Sequence, residues 1–333
     1  MNFIKSIYSD RSYQTWPSWD LVYEWEDILS SDLNIPITNI NKKSTFYGRI
    51  NKYHLALFIQ LFDKIFNSKK KSHLYFEMAA SLNYSISSRI NVIPVIIDFY
   101  LKEEDLPTFY KLHRNNICIL VSSMEVYTFL VQHKCPIRLY HFPLSIADTY
   151  ALKKDNKFAK KYDIVLPGRQ NNILLSFFEK YKLKYPDLHY VYCKLVDGKF
   201  IYVSNKDGVL GDFRSRAEYM KLLQLSRISL YATPGMDEGS TRTNGFDQVT
   251  PRFLELISSG CFVAGRYSKN PDTDYFELNK FCSSIDSYEV FENSVNNYLK
   301  AVEIDYSIHY AYMQNHYTSQ RSKLLNDILN RQL

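Results

Sequence analysis

The sequence predicts an α/β protein built of two doubly wound domains facing a cleft. Three observations predict it. Short apolar runs alternate with amphipathic helical patterns along most of the chain. The alternation forms two successive series of about 150 residues each, which suits two cores better than one. The glycines are unequally divided. Only Gly48 of the ten lies in the first 150 residues, while Gly168, Gly235, Gly260 and Gly265 follow predicted strands of the second series.

In the first series, Ser18 is the expected cap of a helix over WDLVYEWEDILSSDL, and a second helix fits NKYHLALFIQLFDKIF. HLYFEMAA (73–80), NVIPVIIDF (91–99), ICILVSS (117–123) and IRLYHF (137–142) read as strands. Their continuous apolar character suits a parallel sheet covered on both faces. MEVYTFLVQH reads as a helix. A polar, lysine-rich stretch over 143–160 marks the connection, so the expected domains are 1–150 and 151–305, with a helical segment 306–333 returning to the first. The second series begins with strand DIVLPG (163–168), a helix through SFFEKYKLKY, strand LHYVYCKL and helix RSRAEYMKLLQLS. Strand ISLYAT (228–233), a loop to about 249, a helix from Thr250 and strand CFVAGR (261–266) follow, and the pattern is helical from about 287.

Composition narrows the function classes. A hydrophobic fraction of 46% with 23% charged residues is that of a globular chain, not a disordered one. The net charge of +6 is spread along the sequence, so no nucleic-acid partner is expected. The one dense basic run, Lys69-Lys70-Lys71 after Ser68, reads as a solvated helix end, with anionic lipid contact as the sharper alternative. Five cysteines at wide spacing, without a C-x-x-C, read as small buried thiols in a reducing compartment rather than a zinc site. No signal-type apolar stretch opens the sequence, and no run approaches the roughly 20 apolar residues of a spanning helix. The expectation is a cytoplasmic protein, with peripheral contact at the inner membrane face.

The chemistry is concentrated in ATPGMDEGSTRTNGFDQVTPRFLELISSGCFVAG (232–265). Thr250 is a good N-cap and Pro251 a good first helical residue. Arg252 falls in the first turn, where a cation opposes the helix dipole unless an anion sits nearby. Glu255 lies three residues on, along the same face. The plain interpretation is a surface ion pair. The functional one puts Arg252 on a diphosphate and Glu255 on the vicinal hydroxyls of a ribose.

GFDQVTPRFLELISSGCFVAGRY resembles the nucleotide-sugar-binding signature of GT-B glycosyltransferases, in the form seen in bacterial surface-polysaccharide enzymes. A glycine-containing loop precedes R-x-x-E on a helix, then small residues and glycine before a strand. Asp247 and Glu255 stand at the E-x7-E spacing of retaining members, with Asp in place of the first acid; retention and inversion both stay open. LPGRQ (166–170) is similar to the first strand and loop of that family's C-terminal domain. The resemblance implies two Rossmann-like domains in the GT-B architecture. It places Gly168, Arg169, Thr250 and Arg252 at the diphosphate, Glu255 at the ribose, and Gly235, Glu238, Arg242, Asp247 and Gln248 around the donor sugar. The implied donor is a nucleoside-diphosphate sugar, uracil being the default base. The implied acceptor is an oligosaccharide or lipid-linked glycan in capsule, lipopolysaccharide or other surface-glycan synthesis. No cofactor or metal is implied.

An inverting reaction also needs a base from the first domain. Asp98, at the end of VIPVIIDF, is the first choice, with Glu24, Glu26, Asp27 and His141 as alternatives. The rivals are a metal-dependent transferase using Asp272-x-Asp274, a nucleotide-sugar epimerase or phosphorylase of the same architecture, and a binding partner without catalysis. The sequence contains no G-x-G-x-x-G, P-loop or G-x-S-x-G motif.

Overall fold

A computed structural model describes residues 3–40, 44–53, 55–67, 71–213, 215–301 and 304–331; Ser68, Lys69 and Lys70 of the basic run lie outside them. The chain divides into two compact units. One comprises Met1–Ala147, Thr241–Gln248 and Thr318–Leu333, the other Asp148–Ser240 and Val249–Tyr317.

The first unit is built on a six-stranded parallel sheet of order β2-β1-β3-β4-β5-β6. Its strands are β1 (Ile4–Ser9), β2 (Ile37–Asn39), β3 (Ser72–Ala79), β4 (Val92–Asp98), β5 (Ile119–Val121) and β6 (Leu139–His141). The last four fall in the predicted runs. The first two are not predicted, because β1 buries serines in place of apolar residues. Ser6 Oγ hydrogen-bonds His73 Nδ1 at 2.8 Å, and Ser9 Oγ donates to Glu26 at 2.6 Å.

Helix α1 (Pro17–Leu33) starts one residue before the expected Ser18 cap. Pro17 takes the first position, where its missing N–H costs nothing, and Trp16 is the capping residue. The single helix expected over 51–66 is two, α2 (Ser44–Lys52) and α3 (Ala56–Asn67). They separate where the Leu55 N–H bonds back five residues to the Ile50 carbonyl, a wide turn that apolar periodicity does not reveal. Helices α4 (Leu106–His113) and α5 (Met124–Gln132) follow, the second capped by Ser123. Ile96, Phe99, Phe109, Ile119 and Leu130 form one buried cluster beneath them.

The second unit carries a sheet of order β10-β9-β8-β7-β11-β12. Strands β7 (Tyr162–Leu166), β8 (Tyr190–Val196), β11 (Ser226–Ala232) and β12 (Phe262–Arg266) are parallel. Antiparallel β9 (Lys199–Ser204) and β10 (Gly208–Gly211) extend one edge. Neither is predicted, although Asp197-Gly198 is a strong two-residue hairpin signal and both residues have positive φ. The helices are α6 (Asn172–Lys184), α7 (Arg216–Gln224), α9 (Pro251–Ser258), α10 (Pro271–Tyr275), α11 (Tyr288–Lys300) and α12 (Ser307–Met313), while α8 (Gly239–Arg242) straddles the boundary at Ser240. The short α8 lies inside the stretch expected to be all loop. Ile164, Leu166, Leu174, Phe178, Ile228, Leu230 and Phe291 share the core.

Two stretches distant in sequence complete the first unit. Helix α13 (Thr318–Asn330) is fastened by Arg321, which donates to the Pro143 and Leu144 carbonyls at 2.8 and 2.9 Å, and by Ser322 Oγ, which donates to Asp32 at 2.6 Å. Thr241–Gln248 is held by Phe246, edge-on to Phe99 and Phe129, and by Gln248 Nε2 donating to the Phe99 carbonyl at 2.7 Å. Both sheets are wound in the same sense of order. The chain adds a strand on one side of the first strand, then crosses to the other, so the switch points are β1/β3 and β7/β11. Ligands of doubly wound sheets bind outside the carboxyl ends of strands at such points.

Candidate nucleotide and transfer sites

In the second unit the switch point is made by the turns after β7 and β11 together with α9. Gly168 follows β7 with φ +65°, a left-handed turn that favours glycine. A Cβ there would lie 2.7 Å from Arg252 Nη2, so the missing side chain makes room for the guanidinium. Arg252 Nη1 donates to the Arg169 carbonyl at 3.3 Å, and its buried Nε has no partner among the described residues. Arg169 itself is exposed.

Glu255 is only 5% exposed. It does not form the surface ion pair with Arg252 that the plain interpretation gives. Oε1 accepts from Arg216 Nη1 at 2.6 Å and Oε2 from the Tyr219 hydroxyl at 3.0 Å. Burial, then the Glu255 charge, holds the Tyr219 hydroxyl well above its ordinary pKa, so it stays a donor. Each carboxylate oxygen has two acceptor positions, so these bonds leave capacity for a ligand diol. Arg216 and Tyr219 are absent from the sequence-predicted residues. The available signal was Arg216 in the first turn of α7, the placement that singled out Arg252.

Thr250 begins α9 by its extended backbone alone, since its side chain makes no capping bond. Its N–H donates to the Tyr231 hydroxyl at 3.2 Å, and the preceding Val249 N–H donates to Asp272 Oδ2 at 2.5 Å. Asp272, fully buried in the first turn of α10, therefore anchors the start of α9. Gly235 lies in the turn after β11, and Glu238 beyond it accepts from Asn172 Nδ2 at 2.6 Å. Between them Asp237 takes a two-pronged bond from Arg266 at 2.7 and 2.8 Å, which holds its carboxyl below the usual range.

Arg242, Asp247 and Gln248 belong to the first unit, with Asp98. The sequence spacing of Asp247 and Glu255 thus spans two units. Asp98 ends β4 and is half-buried. Burial pushes its carboxyl up to about 6, while Arg242 and a hydrogen bond from Tyr100 pull the other way. The turn after Asp98 is held by the incoming stretch: Gln248 bonds the Phe99 carbonyl, Asn244 Nδ2 the Tyr100 carbonyl. The Asp247 N–H donates to Glu125 at 2.8 Å.

The alternative bases differ in setting. Glu26 is buried against Ser9 and Arg11 and lifted to about 7, chiefly by burial. Asp27 is exposed and paired with Arg11, Glu24 is partly exposed on α1, and His141 is lowered to about 4 by burial. Asp10, which accepts from the Tyr75 hydroxyl at 2.9 Å, stands at the β1/β3 switch point and was not among the candidates. A groove of about 390 Å³ lined by Lys5, Tyr8, Thr38, His73 and Arg89 runs along β1, β2 and β3 and contains none of the predicted residues.

Comparison with protein-family models finds no match, and comparison with curated proteins finds none. Solved structures do match. A putative UDP-N-acetylglucosamine 2-epimerase from Listeria monocytogenes is 8% identical with TM-score 0.50, covering 96% of this chain and 94% of its own. WaaG, a glycosyltransferase involved in lipopolysaccharide biosynthesis, is 11% identical with TM-score 0.49, covering 92% and 95%. The pneumococcal O-GlcNAc transferase GtfA, in complex with UDP and GlcNAc, is 12% identical with TM-score 0.49, covering 83% of this chain; this chain spans 60% of the length of that one. At these identities the likeness is one of fold. The fold is of the GT-B type, with two parallel-dominated six-stranded sheets.

Proposed function

We propose that this chain is a glycosyltransferase that moves a sugar from a nucleoside-diphosphate sugar to a carbohydrate acceptor. One observation carries the proposal: Arg252 and buried Glu255 stand on α9 at the switch point of the second sheet, and Gly168 leaves room for the arginine. Arg252 and Arg169 would hold the diphosphate, with the backbone at Thr250 and Gly168. Glu255, oriented by Arg216 and Tyr219, would accept from the ribose hydroxyls. Glu238 and the Gly235 turn would border the sugar. Negative charge builds on the departing diphosphate, and fixed guanidinium groups stabilise it without reorganising. In this reading the chemistry is metal-independent and UDP is the default nucleotide.

Asp98 would receive the acceptor hydroxyl proton. A carboxyl titrating near 6 is ionised at neutral pH yet more basic than an ordinary aspartate. Arg242, Asp247 and Gln248, read from the sequence as donor-sugar residues, would shape the surroundings of that base. The acceptor would be an oligosaccharide or lipid-linked glycan of the bacterial surface, met at the cytoplasmic face. Nucleoside diphosphate release is the assay. Asp98→Asn should keep nucleotide affinity and lower transfer roughly 100-fold or more; full activity removes Asp98 from the reaction. The fold likeness to the Listeria protein favours an epimerase as the second reading. An epimerase would interconvert a nucleotide sugar without acceptor, while a transferase would need one.

A further inference from the structure

Helix α3 of the first unit exposes large apolar side chains while it buries a polar one. Gln60, 2% exposed, faces the protein and donates through Nε2 to the Leu112 carbonyl at 2.5 Å. Ile59 and Ala56 flank it against a small cluster with Ile50 and Tyr84. On the far side Phe58 is 69% exposed, Leu61 57% and Ile65 67%. At about 100° per residue these three lie within one sector of roughly 60°, centred about 130° round from Gln60. Leu55 and Tyr53, also exposed, extend the apolar surface toward α2. A contiguous apolar face turned to solvent marks an interaction surface.

Charge identifies what covers it. Residues 44–71 contain six basic residues against one acidic residue. Arg49, Lys52, Lys64 and Lys71 are exposed on or beside the α2–α3 hairpin. Basic side chains bordering an exposed apolar helix face match a bilayer of anionic phospholipid, whose headgroups meet the cations while the apolar side chains enter the acyl boundary. We infer that α3 is an in-plane membrane anchor that seats the first unit on an anionic lipid surface. Among the described residues no helix is long and apolar enough to cross a membrane, so the contact is interfacial. The inference does not depend on the nucleotide site of the second unit.

The test is flotation of the full chain with phosphatidylglycerol vesicles and with phosphatidylcholine vesicles. The expected result is binding to the first and not the second, weakened by salt. The variant Phe58→Ser/Leu61→Ser/Ile65→Ser should lose roughly tenfold or more in vesicle affinity, and Lys52→Glu/Lys64→Glu should become insensitive to phosphatidylglycerol. Both alter exposed side chains, and unchanged thermal unfolding and nucleotide binding would show them folded. Absence of binding to phosphatidylglycerol vesicles, or binding unaltered in the triple variant, overturns the inference. So does a dimer that the triple variant converts to monomer without any vesicle binding, which would make the face a contact with a second copy.

Discussion

At the scale of single residues, α9 was the most legible part of the candidate site. Thr250, Pro251, Arg252 and Glu255 announce a helix start that carries charge where local chemistry does not require it. What they touch was not legible. The Arg216 and Tyr219 bonds to Glu255 join residues 39 and 36 positions apart, and only the packing of α7 against α9 brings them together. Gly168 lies between these cases. A glycine after a strand suggests close approach, and the group that approaches is Arg252. Gly168→Ala therefore meets both a strained φ and a guanidinium at 2.7 Å. It should weaken nucleoside-diphosphate binding roughly tenfold or more while the bare nucleoside loses less, since a displaced arginine is felt at the phosphates. Equal losses for both would place Arg252 elsewhere.

At the scale of elements, continuous apolar runs identified β3, β4, β5, β7, β11 and β12, because a strand buried on both faces must be apolar at nearly every position, and they also found β6 and β8, which are only partly buried. Strand β1 escaped because its buried serines are satisfied by side chains of other elements, Ser6 by His73 and Ser9 by Glu26, and α8 because four residues carry no period. The stretch 241–248 shows the same limit. Its sequence connects β11 to α9, yet its side chains pack into the first unit around Phe246. Phe246→Ala should destabilise that unit by about 3 kcal/mol, and it should lower transfer more than nucleotide affinity, because the turn carrying Asp98 loses its support. Denaturant unfolding and a nucleotide titration of the same variant check this. A stability within 1 kcal/mol of the parent, on the order of surface substitutions, would contradict the packing role.

At the scale of the whole molecule, buried titratable groups set how stability responds to pH. Burial lifts Glu26 and Glu77 to about 7, while His73, His113, His141 and His309 are lowered to about 4, mainly by burial. The histidines contribute stability above their unfolded value of about 6.5 and lose it as the pH falls toward 4. The two glutamates act oppositely: folded and protonated they cost little, and a penalty grows from about pH 4.5 until it is complete above 7. Four histidines outweigh two glutamates, so stability should rise as the pH goes from about 4.5 to 6.5. Above about 6.5 the remaining histidine gain and glutamate loss are of similar size, so stability should change little there. Glu77 Oε2 has no partner among the described residues, so Glu77→Gln should gain on the order of 3 kcal/mol at pH 8 and progressively less toward pH 5. A gain that does not change with pH would mean that Glu77 is not the titrating group.

The central claim is that the second unit holds a nucleoside diphosphate through Arg252 and Glu255, and calorimetric titration with UDP, GDP, CMP and NAD, with and without EDTA, tests it most directly. The prediction is selective, EDTA-insensitive binding of one nucleoside diphosphate, UDP first, weakened by roughly 1–3 kcal/mol in Glu255→Ala. Binding of none of the four, or binding untouched by Glu255→Ala, would contradict it.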